Sequence, residues 1–294
     1  MVPVTLQQTF TSDGLQLSAL RYGEIQGQNQ RAVIYVHGFT SDFYSWPFVS
    51  EMGKAIASEG GVFLAIQTRG TGLYTELIDS TRTISKYIGS YYEILEEAYL
   101  DIDAWILWLQ SQGITEIELA GHSLGTLKVT RYLFEGTYTQ LVKKISLLGP
   151  FDKNAYVEQK SGEKWHEHVS HALKMTEEGK GQEIIPPTYD DFPMTYQTFY
   201  SWYRPSDFNE MWDFYRMDTY DFPLWKKVSL PVQIITSADD ESLDYPQFYA
   251  KNQAYECMKK HITGVELVVP PSGGHCFLGQ ETFVAEKFRR FVNA

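Results

Sequence analysis

Hydrophobic positions along the chain change period several times, and the changes mark out its elements. Thr9-Phe10 and Leu15-Gln-Leu-Ser-Ala-Leu20 flank Thr11-Ser-Asp-Gly14, which predicts a hairpin with a glycine in its turn. Ala32–Val36 and Val62–Ile66 are apolar throughout, the pattern of strands buried on both faces. Between them Ser45–Ser58 predicts a helix stopped by Gly60-Gly61. The clearest helical run is Tyr91–Gln112. Leu95, Ala98, Tyr99, Ile102, Trp105, Ile106 and Leu109 share one face there, with Glu96, Asp101 and Asp103 elsewhere. A strand over Ile117–Ala120 runs into a helix to about Phe134, and Ile145–Leu148 is a short strand stopped by Gly149-Pro150. Over 151–227 the alternation breaks down into two helical pieces, Gly162–Glu178 and Asp207–Tyr215, among prolines 186, 187, 193, 205 and 223. It then resumes with strand Val232–Thr236, helix Pro246–His261, strand Val265–Val269 and a last helix whose Val284, Phe288 and Phe291 share a face.

Alternating strands and helices, with most strands apolar throughout, predict an α/β fold with a mostly parallel sheet covered by helices on both faces. Residues 1–150 and 228–294 then form the core and 151–227 an insertion into it. Such sheets bind ligands beyond the carboxyl ends of their strands. His37-Gly38, Arg69-Gly70, Ser123, Asp240 and His275 all fall at those ends.

Gly121-His122-Ser123-Leu124-Gly125 has the layout of a nucleophile elbow, a serine on a tight strand-to-helix turn. Such a turn crowds the positions two before and two after the serine, and glycine relieves the crowding. A serine hydroxyl needs an adjacent base, and the base an orienting acid. His275 is the candidate base, on a glycine-containing loop between a strand and the last helix. His37 and His122 sit in turn motifs of their own, and His261 ends a helix. The acid candidates are Asp240 and Asp239, after the strand ending at Thr236, and Asp152, in the loop after Leu148. The backbone N–H groups of Leu124, at a helix N-terminus, and of Phe39, after Gly38, are candidate oxyanion donors.

These pieces together resemble a serine hydrolase of the α/β-hydrolase superfamily, over essentially the whole chain. The matching stretches are His37-Gly38-Phe39, Arg69-Gly70-Thr71-Gly72, Gly121–Gly125, the Asp240 turn and Gly274-His275, and the order serine, acid, histidine is the one that the family uses. Gln67-Thr68 and Thr236-Ser237 depart from common family sequences at non-catalytic positions. The second departure bears on the choice between the two aspartates. The resemblance favours Asp240 and implies a two-step acyl transfer through Ser123, with His275 as general base and the Phe39 and Leu124 amides binding the oxyanion. It also implies that 151–227 is a cap between the sixth and seventh core strands. The expected substrate is a carboxylic ester with an apolar or aromatic acyl group. Thioester, lactone, amide or carbon–carbon cleavage, acyl transfer to an alcohol and cofactor-free oxygenation use the same elbow, and a ligand receptor would keep the fold without turnover. A serine at position 123 sets the chain apart from relatives that carry an aspartate there, the epoxide hydrolases and haloalkane dehalogenases.

Composition narrows the classes further. A formal charge of −12 with no Lys/Arg stripe argues against nucleic-acid binding. No apolar run reaches membrane-spanning length, the start lacks a secretion pattern, and the two cysteines, Cys257 and Cys276, suit a reducing compartment, so a cytoplasmic protein is expected. Cys276 beside His275 reads as a packing residue. No cofactor or metal is expected: His168 and His171 are spaced to share a helix face but lack a third ligand. Partners are a small ester-like molecule and, through an apolar cap edge, a second copy of the chain. Aromatic residues concentrate in the insertion, from Tyr189, Phe192, Tyr196, Phe199, Tyr200, Trp202 and Tyr203 to Trp225. Most of them are expected to build the insertion's own core, and the rest to line a pocket.

Overall fold

The computed structural model describes residues 2–27, 30–78, 80 and 85–294. The predicted hairpin is β1 (Val4–Phe10) and β2 (Gln16–Tyr22), paired antiparallel. Then follow β3 (Arg31–Val36), α1 (Pro47–Ser58), β4 (Val62–Ile66) and a small hairpin of β5 (Thr75–Ile78) with β6 (Ser85–Ile88). The apolar alternation gives no sign of that small hairpin. The chain continues with α2 (Ala98–Ser111), β7 (Glu116–His122), α3 (Leu124–Glu135) and β8 (Val142–Leu148). After α4 (Lys153–Ser161), α5 (Lys164–Met175) and α6 (Tyr196–Tyr203), it ends with β9 (Val232–Ile235), α7 (Lys251–His261), β10 (Glu266–Val268) and α8 (Glu281–Asn293).

Among the described residues the main sheet has eight strands in the order β1-β2-β4-β3-β7-β8-β9-β10. The β1/β2 and β2/β4 pairs are antiparallel and every later pair is parallel. This is the α/β-hydrolase fold. Side chains alternate between its faces: Val33 and Tyr35 of β3 pack with α1 and α8, and Ala32, Ile34 and Val36 with the core on the other face. Val284 and Phe288 are fully covered and Phe291 is buried, as the pattern of the last helix predicts.

Three predicted elements differ. The helix expected from Tyr91 begins as a single turn at Leu95 and becomes α-helical at Ala98. Distant partners take up the backbone before it: the Tyr91 carbonyl accepts from the Thr195 N–H and the Thr198 hydroxyl, and the Leu95 N–H donates to the Ser201 hydroxyl. The helix expected over Asp207–Tyr215 is a series of turns, in which the Asn209 side-chain amide donates to the Ser201 and Arg204 carbonyls at the end of α6. The helix expected from Pro246 starts at Lys251. Conversely, α4 and α6 arise where no helix was predicted, with Asp152 and Thr195 as their N-caps. Asp101 and Asp103, assigned to the polar side of α2, are also buried. Asp101 receives the Arg69 guanidinium at 3.0 Å, and Asp103 accepts hydrogen bonds from Tyr132 and Thr137.

Glu118, in the middle of β7, has a consequence for stability. It is buried and accepts the Ser146 hydroxyl at 2.6 Å. Burial pushes its carboxyl up to about 8, which Ser146 and the Lys144 and Arg31 charges only partly offset. Above its ordinary value of about 4.3 the unfolded chain has lost this proton, while the folded chain keeps it to about pH 8, so unfolding releases a proton. Stability from this group therefore falls as pH rises through that window. We expect the urea midpoint of the wild type to fall relative to that of Glu118→Gln between about pH 5 and about pH 8; parallel pH profiles would mean that Glu118 is ionised in the folded protein.

Candidate active site

Ser123 sits between β7 and α3 with φ 55° and ψ −121°, a left-handed conformation rare for a residue with a side chain. Sterics explain the flanking glycines. A Cβ at position 121 would lie 2.2 Å from the Gly125 carbonyl oxygen, and one at 125 would lie 2.2 Å from the Val36 carbonyl oxygen. The turn is thus closed onto β3 with no room for a side chain at either position. Gly38, at the end of β3, lies against Ser123 in the same way: a Cβ there would be 2.7 Å from that of the serine.

The strand ends bring the other candidates to this turn. His275 Nδ1 lies 3.0 Å from Asp240 Oδ1. A carboxylate only accepts, so Nδ1 carries the proton and Nε2 is left free to accept one. Asp240 is fully buried; its Oδ1 also accepts from the Ser242 N–H at 2.9 Å and hydroxyl at 2.6 Å, and its Oδ2 from the Thr236 hydroxyl. Burial alone would raise its pKa, but the hydrogen bonds and charge of His275 and the Ser242 donors outweigh it and hold the carboxyl below its ordinary range. Asp239 does not face the imidazole. It accepts from the Gly273 and Gly274 N–H groups. Asp152 caps α4 through the Ala155 N–H and accepts the Tyr215 N–H; burial and the nearby Asp213 push it up to about 7. Neither the Phe39 nor the Leu124 N–H has an acceptor among the described residues.

The motif histidines hold this turn from behind. His37 Nδ1 donates to the Gly38 carbonyl at 2.9 Å, and its Nε2 accepts from the Thr68 N–H. His122 Nε2 donates to the His275 carbonyl at 2.9 Å. Burial depresses both imidazoles to about 3, helped by Lys128 at His37 and by His275 at His122, so both are neutral near pH 7. The hydrogen bond from His122 to His275 spans 153 residues, and no local spacing signals it. Arg69 turns out to be a clamp, joining the end of β4 to Asp101 and Glu97 near α2 and to Asp13 of the first hairpin. His168 stacks on Tyr189 at 3.9 Å, and His171 accepts the Tyr189 hydroxyl at 2.7 Å. Among the described residues no group of His, Cys, Asp or Glu is arranged to hold a metal ion, and no helix is long and apolar enough to cross a membrane. Burial and the Glu241 and Asp240 charges raise the Cys276 thiol to about 11.

Ser123, Leu124, Phe39 and His275 open onto one cavity of about 400 Å³ between the strand ends and the segment joining β8 to β9. Its aromatic walls come from Phe39, Phe151, Phe192 and Trp202. Tyr156, Tyr203, Asp190 and Gln159 are its polar lining from that segment. Asp190 is buried and accepts the Tyr203 hydroxyl at 2.9 Å and the Tyr156 hydroxyl at 3.2 Å. Of the aromatics singled out in the segment, Tyr189, Tyr196, Phe199, Trp212, Phe214, Phe222 and Trp225 are buried, and Phe214 and Phe222 pack outside it on Tyr249 and His261. Phe151, Tyr156 and Asp190 were not singled out from sequence, since one phenylalanine beside Gly149-Pro150 carries no pattern.

Solved structures of the same fold cover nearly the whole chain. The esterase Pf2001 of Pyrococcus furiosus superposes with a TM-score of 0.60 at 18% identity, covering 99% of this chain and 90% of its own. Est1E of Butyrivibrio proteoclasticus, solved with ferulic acid bound, gives 0.63 at 18% identity, covering 97% of each chain. The carboxylesterase CesB of Bacillus subtilis gives 0.56 at 14%, covering 98% of this chain and 91% of its own. No curated protein matches the sequence. A family model described as "Protein of unknown function (DUF1749)" matches residues 5–263. The chain has the α/β-hydrolase fold and belongs to this DUF1749 family.

Proposed function

We propose that the protein is a serine hydrolase that cleaves carboxylic esters through an acyl-enzyme on Ser123. The observation that carries the reading is His275, paired with the buried Asp240, lining the same cavity as a serine in a left-handed turn. Ser123 Oγ attacks the carbonyl carbon as its proton passes to His275 Nε2, and Asp240 stabilises the imidazolium through Nδ1–H. The Phe39 and Leu124 N–H groups receive the negative charge on the carbonyl oxygen, helped by the positive N-terminal end of α3. Collapse of the intermediate breaks the bond to the leaving alkoxide, which takes the proton from His275. Water then adds to the acyl-enzyme by the same route and frees the acid and Ser123.

Residues 151–227 act as the cap in this reading, and the aromatic walls favour an apolar or aromatic acyl group. The cavity's volume is in the range of small-molecule sites. The similarity to structures of esterases, one of them holding an aromatic acid, supports an ester as substrate.

Labelling by a fluorophosphonate probe, together with hydrolysis of short aryl esters, tests the proposal. The wild type is expected to be labelled and active, and Ser123→Ala to lose labelling and about a million-fold in kcat. A wild-type protein inert to both reagents overturns the hydrolase reading in favour of a binding protein. Asp240→Asn, which removes the carboxylate facing Nδ1, is expected to lower kcat by about ten-thousand-fold. A loss below about tenfold would move the acid elsewhere.

A further inference from the structure

The turn that carries His275 is held by more than its imidazole. Asp239, Asp240 and Glu241 are consecutive, and each accepts from this one turn. Asp239 Oδ1 accepts the Gly274 N–H at 2.9 Å and its Oδ2 the Gly273 N–H at 3.3 Å. Glu241 Oε2 accepts the N–H of His275 itself at 3.0 Å. From the opposite side His122 Nε2 donates to the His275 carbonyl. The histidine is therefore tied at its backbone nitrogen, its backbone oxygen and its ring.

The turn needs such ties. Phe277, two residues on, has φ 56°, a costly conformation for a residue with a Cβ, and Gly273 and Gly274 are left-handed as well. Backbone of this kind persists only where its surroundings over-determine it. Phe277 supplies packing, buried against Phe48 at 5.3 Å. Hydrogen bonds from amides to charged acceptors are stronger than neutral ones, and Asp239 and Glu241 supply three of them.

We propose that Asp239 and Glu241 are positioning residues for His275, fixing the backbone of residues 273–275 so that the imidazole spans Asp240 and Ser123. This rests on the hydrolase reading for its kinetic consequence, but the anchoring itself can be measured without turnover. Asp239 is exposed and does not line the cavity, so its removal acts through the turn rather than through substrate contact. A misplaced base costs rate and leaves ground-state binding alone.

The test compares Asp239→Ala and Asp239→Asn with the wild type. Hydrogen exchange reads the Gly273, Gly274 and His275 amides, the low-field proton resonance of the His275–Asp240 bond reads the imidazole, and a neutral aryl ester reads turnover. For Asp239→Ala we expect about tenfold faster exchange at those amides with strands β3 and β7 still protected, and a weakened low-field signal. We also expect kcat to fall about tenfold to a hundredfold while KM stays within about twofold. Asp239→Asn, which keeps one acceptor oxygen, is expected to regain part of each. Glu241 borders the cavity, so Glu241→Gln against Glu241→Ala is read by exchange at the His275 amide and by the low-field signal, with the same partial rescue expected. Unchanged exchange and an unchanged low-field signal in Asp239→Ala overturn the proposal, as does unchanged kcat despite faster exchange. If the wild type proves inert to esters and to the fluorophosphonate, the hydrolase reading falls, and exchange and the resonance still decide whether the two carboxylates hold the histidine.

Discussion

Ser123 can hold its left-handed backbone only because β3 and α3 close on it from both sides. Strand β7 delivers the serine between β3 and β8, and α3 starts at the next residue, so the chain must reverse within a single position. The carbonyl of Val36 occupies the space where a side chain at 125 would stand. The first turn of α3 already touches β3 at Gly125, so relaxing the serine backbone would have to disturb that contact. Almost the whole of α3 is buried, so the cost of the strained position is spread over a large packed surface. The same closure brings Gly38 beside Ser123, and hence sets the Phe39 amide next to the serine.

Carboxylates near this turn divide by environment. Asp240 and Asp152 both follow strands at the same sheet edge and both are buried, yet their protonation is displaced in opposite directions. Asp240 meets an imidazole and two donors from Ser242, and its charge is favoured. Asp152 meets Asp213, and its charge is opposed. A residue that must stabilise a transient imidazolium has to be ionised before the proton arrives, and of these two only Asp240 is held that way. Asp239, equally near in sequence, spends its oxygens on backbone N–H groups.

The core was legible because strands buried on both faces are apolar without interruption, and the helices between them carry a single apolar face. Boundaries failed where distant groups compete for the backbone, as at Tyr91, whose carbonyl is taken by Thr195 and Thr198. The segment between β8 and β9 was least legible. Residues 196–203 form α6 from aromatic and β-branched residues of middling helix propensity, and burial rather than periodicity holds them there. One local signal is readable: Asp152 ahead of Lys153-Asn154-Ala155 is an N-cap pattern, and it caps α4. In the candidate site, Ser123, His275 and the Asp239-Asp240 turn could be named from their places at strand ends, and the structure brings them together. Spacing could not reveal the bonds from Asp239, Glu241 and His122 to the His275 turn, which join segments far apart in the chain.

Phe39 ties chemistry to recognition. Its N–H is the proposed oxyanion donor, while its ring packs edge-on against Phe192 at 5.0 Å and Trp202 at 4.6 Å, both from the segment between β8 and β9. Trp202 is buried, so the Phe39 ring is braced by a side chain that has little freedom to move. A shift of that segment would therefore act on the donor as well as on the cavity wall. In the proposed mechanism the energy of filling the aromatic pocket is realised at the oxyanion, because Phe39 belongs to both. Binding energy drawn from remote parts of a substrate raises kcat only where it improves the fit at the reacting centre. In the proposed mechanism the Phe39–Phe192–Trp202 contacts are the physical route for that transfer.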